Sequence, residues 1–296
     1  MSAAYQLPQS EKSTSAVEDE LHIQLGALNR RRLRPALPEE RESETIVPLE
    51  KLEAAFLESE RAAVRVRART APTDAAGFLP WFEELKDLGP GQGDPLFPWL
   101  ATRASREEMR WFLAQEVAGE AGFDDLVALT QLRMPTRAKL ELARNYWDEM
   151  GRGNEAGMHG PMLSSLAATL GILDSSYPIV WEAAALGNLL AGLATNRHYA
   201  YHAVGALGVV ELTAPGRAAL VAQGLKRLRL DAGARRYYSL HATLDIRHSE
   251  AWNREIIAPL VEETPRVAHA IAEGALMRLN AGARCFERYR RELGLV

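Results

Sequence analysis

Tyr237-Tyr238-Ser239-Leu240-His241-Ala242-Thr243-Leu244-Asp245-Ile246-Arg247-His248 has none of the period-two alternation of a strand and reads as helix. At about 100° per residue, positions i, i+4 and i+7 fall within roughly 60° of one another, so His241, Asp245 and His248 share one face. Three side chains able to bind a metal then line a single stripe. Taken alone, this spacing serves a polar helix face as well as a metal site.

The rest of the chain has the same periodicity. From Pro48 onward apolar residues recur at three and four, as in Leu49, Leu52, Phe56 and Ala63, the mark of an amphipathic helix. Similar patterns run through about 105–130, 136–150, 155–172, 178–211, 215–229, 231–248 and 266–294. Ser105 with Glu108 makes a capping box, Pro135 marks a helix start, and Pro215 with Gly216 is expected to separate two helices. No segment alternates like a strand, and no hairpin, phosphate-loop or dinucleotide motif occurs. The fold class is therefore all-α.

Acids in apolar helices need a partner, because a buried ionised carboxylate is costly unless paired or bound to a cation. Glu116 follows Trp111 and Phe112, and Glu211 follows Ala206-Leu207-Gly208-Val209-Val210. Glu149 and His159 stand ten residues apart, roughly 80° on a regular helix. The Gly151-Arg152-Gly153-Asn154 interruption can turn both inward. Glu120, one turn from Glu116, is the alternative to it. Trp111, Phe112, Tyr146 and Trp147 are candidates for cavity walls or plain core. Of the other histidines, His198 and His202 read as structural, His22 and His269 as surface.

The order Glu116, Glu149, His159, Glu211, then His241, Asp245 and His248, resembles the haem-oxygenase-like di-iron oxidases, relatives in fold of thiaminase and pyrroloquinoline-quinone-synthesis proteins. The resemblance spans about residues 95–295. It implies a bundle of about seven core helices holding two Fe ions that cycle between Fe(II) and Fe(III), with room for Mn in one position and O2 as cosubstrate. It further implies that Glu116, His159 and His248 serve one metal, that Glu211, His241 and Asp245 serve the other, and that Glu149 bridges. The implied activity is an oxidase or oxygenase acting on a small amine or amino-acid-type substrate in specialised metabolism, by N-oxygenation or oxidative C–C or C–N cleavage. A fatty-acid-like decarboxylase and a metal-free thiaminase-type or quinone-synthesis-type enzyme are the alternatives. An external electron donor and a homodimer are compatible with it.

Composition sets the outer bounds. The chain has 296 residues, 47% hydrophobic and 25% charged, with a formal charge of -4, so neither nucleic acid nor an anionic membrane is favoured as partner. One cysteine, Cys285, excludes an internal disulfide and leaves histidine and carboxylate as metal ligands. The longest apolar run, Val180 to Leu193, is too short to span a bilayer, and a cytoplasmic address is expected. Residues 1–45, with basic Arg30, Arg31, Arg32 and Arg34 and acidic Glu39, Glu40, Glu42 and Glu44, read as a polar arm or extension ahead of a helical domain over 46–296.

Overall fold

The computed structural model describes residues 9–37, 39, 47–120, 122–172 and 177–295, with side chains from Ser15 onward. These residues form thirteen α-helices and no strand. They are α1 (Gln9–Leu33), α2 (Val47–Ala68), α3 (Ala75–Leu88), α4 (Leu96–Thr102), α5 (Arg106–Gly119), α6 (Phe123–Thr130) and α7 (Thr136–Glu149), followed by α8 (His159–Thr169), α9 (Trp181–Thr195), α10 (Ala200–Arg227), α11 (Arg236–Trp252), α12 (Ala258–Glu263) and α13 (Val267–Glu292). The 45/46 boundary falls outside the described residues. α1 packs against α9 and α2 and buries Leu25 and Leu28. Arg32 of the basic cluster is tied to Glu53 through two hydrogen bonds of 2.6 and 2.8 Å.

The centre of the bundle is α10, which packs against α13, α11 and α4. Its crossing with α13 is as close as two backbones can come. A methyl group at Gly205 would lie 1.9 Å from the Ile271 carbonyl oxygen, and one at Gly274 would lie 1.9 Å from that of His202. Each helix thus supplies a glycine where the other's backbone presses in. On the opposite side Trp252 donates its indole N–H to Val204 O at 3.2 Å, locking α11 to α10.

The structure departs from the sequence reading at four places. α10 runs unbroken through Pro215, because only one hydrogen bond is lost and the helix as a whole is held by its packing against α13, α11 and α4. The 178–211 pattern is two helices, broken where the Asn196 side chain accepts from His198 N–H at 3.1 Å. The 105–130 pattern breaks at Gly122 (φ 70°). α3 and α4 form in a stretch where no helix was expected. The Ser105 capping box is as read, with Ser105 N–H donating to Glu108 Oε2 at 2.7 Å.

α10, with flanking residues from Arg197 to Arg227, is long and apolar enough by composition to cross a membrane. It is the core helix of this bundle, enclosed on three sides by its neighbours.

Candidate metal centre

Four helices deliver the polar side chains. Glu149 is the last residue of α7 and His159 the first of α8; between them the chain makes two short 3-10 turns, Gly151–Gly153 and Glu155–Gly157, closed by an isolated bridge between Met150 and Met158. Gly151, Arg152 and Gly153 all take positive φ, 61°, 55° and 81°. This turn replaces the awkward 80° separation with direct contact: His159 Nδ1 lies 2.5 Å from Glu149 Oε2. α10 contributes Glu211, and α11 contributes His241, Asp245 and His248. Glu149, His159, Glu211, Asp245 and His248 are all buried.

Two donor sets result, and they share one carboxylate. Glu149, His159 and His241 bring one ligand atom each to within 4.8 Å of one another, and so do Glu149, Glu211 and His248. The His159 and His241 rings are 4.6 Å apart, and His248 Nδ1 lies 3.4 Å from Glu211 Oε2. This grouping differs from the implied partition, in which His159 stood with His248 and His241 with Glu211. α8 crosses α11 near His241, whereas His248 lies two turns further along, beside α10 and the end of α7.

Neighbouring groups fix the imidazoles. The His241 Nδ1 atom is 2.7 Å from the Tyr237 carbonyl, which can only accept, so Nδ1 carries the proton and Nε2 is free to bind a metal. His248 Nε2 is 3.2 Å from Asp148 Oδ2, which turns its Nδ1 toward Glu211 and Glu149. Such outer partners orient ligand histidines in metal proteins. Asn145 donates to Glu211 Oε1 at 2.6 Å. Asn145, Asp148 and Tyr237 were not foreseen as partners, although Asn145 and Asp148 precede Glu149 by four and one residues and Tyr237 precedes His241 by one turn.

The electrostatics are those of a cluster built around positive charge. Burial, then the charges of Glu211 and Glu149, push Asp245 up to about 10. Burial and Glu211 also raise Glu149 well above the usual carboxylate range. Burial lowers His159 and His241 to about 4, leaving them neutral, the form that binds metal. For His248, burial opposes the charged ring, but the neighbouring carboxylates of Glu211 and Asp148 outweigh it and lift it to about 9. Asp245 Oδ1, His159 Nε2 and His248 Nδ1 are buried without hydrogen-bond partners. Orphaned acceptors beside mutually repelling carboxylates fit a dication, and an all-oxygen-and-nitrogen donor set suits iron, manganese or zinc.

Glu116 and Glu120 have different neighbours. Burial raises Glu116, while Arg217 and Arg278 pull it down. Burial raises Glu120 to about 8, helped first by the charge of Glu149, and Asp245 in turn feels Glu120 but not Glu116. Both glutamates line a cavity of about 130 Å³ that also reaches Glu149, His241 and Asp245. Glu120→Gln should therefore lower bound iron severalfold while Glu116→Gln leaves it within error; metal analysis of the two purified variants decides, and the reverse outcome restores Glu116 as the ligand.

The cavity walls are Phe97, Phe123, Tyr237, Tyr238, Phe286 and Tyr289, not the aromatics expected. Phe112 is in the core, Trp111 meets Tyr289 edge-on, Tyr146 packs on the core, and Trp147 is 52% exposed. His22, read as surface, is instead buried and stacked at 5.8 Å on Trp181, because α9 covers that face of α1. His202 is hydrogen-bonded to Glu273 at 2.9 Å, His198 is exposed and His269 half-buried.

A family model for iron-containing redox enzymes matches residues 110–283. This is more than half the chain and includes every residue of the cluster. The chain belongs to that family. Its all-α bundle is the haem-oxygenase-like fold, and its Glu and His donors form a possible metal site within the matched residues. No curated protein matches the chain significantly.

Proposed function

We propose that the chain is a non-haem di-iron oxidoreductase that uses O2 to oxidise a small amine or amino-acid-type substrate, by N-oxygenation or by oxidative cleavage of a C–C or C–N bond. The observation that carries the reading is the pair of donor sets joined by Glu149, the arrangement expected of one carboxylate serving two metals. Glu149, His159, His241 and Glu120 would hold one ion, and Glu211, His248 and Glu149 the other, with Asp245 as a further donor. Two Fe(II) ions would supply the electrons that triplet O2 needs before it can react with a closed-shell molecule.

The protein's own residues do the rest. The Tyr237 carbonyl and Asp148 hold the imidazoles in the tautomers that leave a lone pair pointing inward. Asn145 restrains Glu211 through one oxygen and leaves the other toward His248. Leu163, Leu186, Phe97 and Phe286 wall the adjoining cavity and limit water beside the reacting groups.

The cavity that reaches Glu149, His241 and Asp245 suits a small substrate, and a wider one of about 700 Å³ adjoins it at Phe97, Glu211 and Arg217. The volume of the first, about 130 Å³, compares with the roughly 150 Å³ that encloses one benzene. The metal-free thiaminase-type reading requires a reactive thiol, and Cys285 does not supply one. It is buried, donates to Glu182 O at 3.2 Å, and burial pushes it up to about 12, so essentially no thiolate forms near neutrality. Iron analysis with Mössbauer spectroscopy on protein loaded anaerobically with Fe(II) tests the proposal. Two irons per chain, oxidised together on exposure to air, are expected; one iron or none would refute it.

A further inference from the structure

The cavity has a second polar end. Arg217 of α10 and Arg278 of α13 line it together with Glu116. Arg217 donates to Thr213 Oγ1 at 2.9 Å, reaches Gln92 Oε1 only at 3.5 Å, and lies against Phe97 and Phe286, 5.8 and 5.5 Å from their ring centroids. Arg278 buries its Nε without a hydrogen-bond partner. Among the described residues neither guanidinium comes within 4.0 Å of a carboxylate oxygen. Burial, then the charge of Arg278, brings Arg217 down to about 9.

The two guanidinium groups share this end of the cavity with Glu116, and Arg278 also feels Glu120, yet neither guanidinium is held in an ion pair. Withdrawing a guanidinium from water without an ion pair is costly, and packing alone would be better served by leucine or methionine at either half-buried position. The guanidinium fork matches a carboxylate, which it can hold through two parallel hydrogen bonds. The aromatic faces of Phe97 and Phe286 cover part of Arg217 and lower the polarity around any such pair.

We propose that Arg217 and Arg278 form the subsite for the carboxylate of a small substrate, whose far end lies toward Glu149, His241 and Asp245. Glu116 stands beside the two arginines as the acceptor for an ammonium group, so an α-amino acid matches all three. The direction of the far end rests on the di-iron reading above, whereas binding of the carboxylate does not require iron.

The test is calorimetry on the full-length chain, with iron measured in every sample. The probes are acetate, butyrate, benzoate and L-phenylalanine, each against its own amide. At least one acid should bind about tenfold or more tightly than its amide, and Arg278→Gln should weaken that acid about tenfold or more while keeping the wild-type iron content. Glu116→Gln, which removes a competing negative charge, should tighten the simple acids about threefold and weaken L-phenylalanine. If every acid binds no better than its amide, the subsite does not exist. It is equally overturned if acid binding survives Arg278→Gln, because the carboxylate would then be held elsewhere. Acid preference in a chain that binds no iron would uphold the subsite and remove the di-iron reading; two irons without acid preference would do the reverse.

Discussion

Asp245→Asn should give a folded helical protein that has lost its iron and at least about a hundredfold of its O2 consumption, yet melts at a higher temperature than the iron-free wild type. Asparagine keeps the shape and removes the charge. In the iron-free protein burial, Glu211 and Glu149 hold the Asp245 carboxyl up to about 10, against an ordinary 3.8. Below pH 4 the group is protonated in both folded and unfolded chains and costs nothing. Between pH 4 and 10 the unfolded chain releases the proton and the folded one keeps it, so stability falls as pH rises through that window.

Asparagine does not titrate and escapes this loss. The iron-free variant should be more stable than iron-free wild type near pH 8 by about 1–3 kcal/mol, or several degrees in a chain of this size. With iron present the order reverses, because the wild type gains the free energy of metal binding and the variant does not. Calorimetric scans at pH 5 and pH 8, with and without Fe(II), separate the four cases. Retention of two irons by the variant would show that Asp245 is no ligand.

Gly151→Ala is expected to act on both fold and centre. Gly151 has φ 61°, and a methyl group there would lie 2.4 Å from the carbonyl carbon of Gly157 and 2.7 Å from Met158 N. Neither neighbour can move without opening the bridge between Met150 and Met158, which is what brings His159 back to Glu149. Strain at positive φ and the backbone clash together should cost about 2–4 kcal/mol and lower iron affinity beyond that loss. Gly160→Ala is the matched control, since a methyl group there meets nothing within 4 Å beyond its chain neighbours, and with Pro161 next to it no gain in helix stability is expected. Equal effects of the two substitutions on bound iron would mean that the turn does not position His159.

The helical architecture was legible because apolar spacing records which face of each segment is covered. Helix breaks were legible at Ser105 with Glu108 and at the Gly151-Arg152-Gly153-Asn154 interruption, but not at Asn196 or Gly122. Pro215 misled because a proline's cost is local, while the packing that outweighs it comes from α4, α11 and α13, far away in sequence. For the centre, the i, i+4, i+7 stripe of α11 placed three side chains on one face by geometry alone. Which of them meets His159 depends on how α8 crosses α11, and Glu116 against Glu120 depends on the rotation of α5; neither crossing leaves a trace in spacing. His22 read as exposed because nothing in its own helix shows that α9 covers it.

Pro215 has a mechanical consequence. Lacking an amide hydrogen, it cannot bond to the carbonyl four residues earlier, which is that of Glu211. A 28-residue helix, about 42 Å of rod at 1.5 Å per residue, is therefore missing a rung between the side chain that faces the histidines and the guanidinium six positions further on. Rods bend where a rung is missing. The span from Glu211 to Arg217 is thus where an otherwise stiff strut yields most easily to bending.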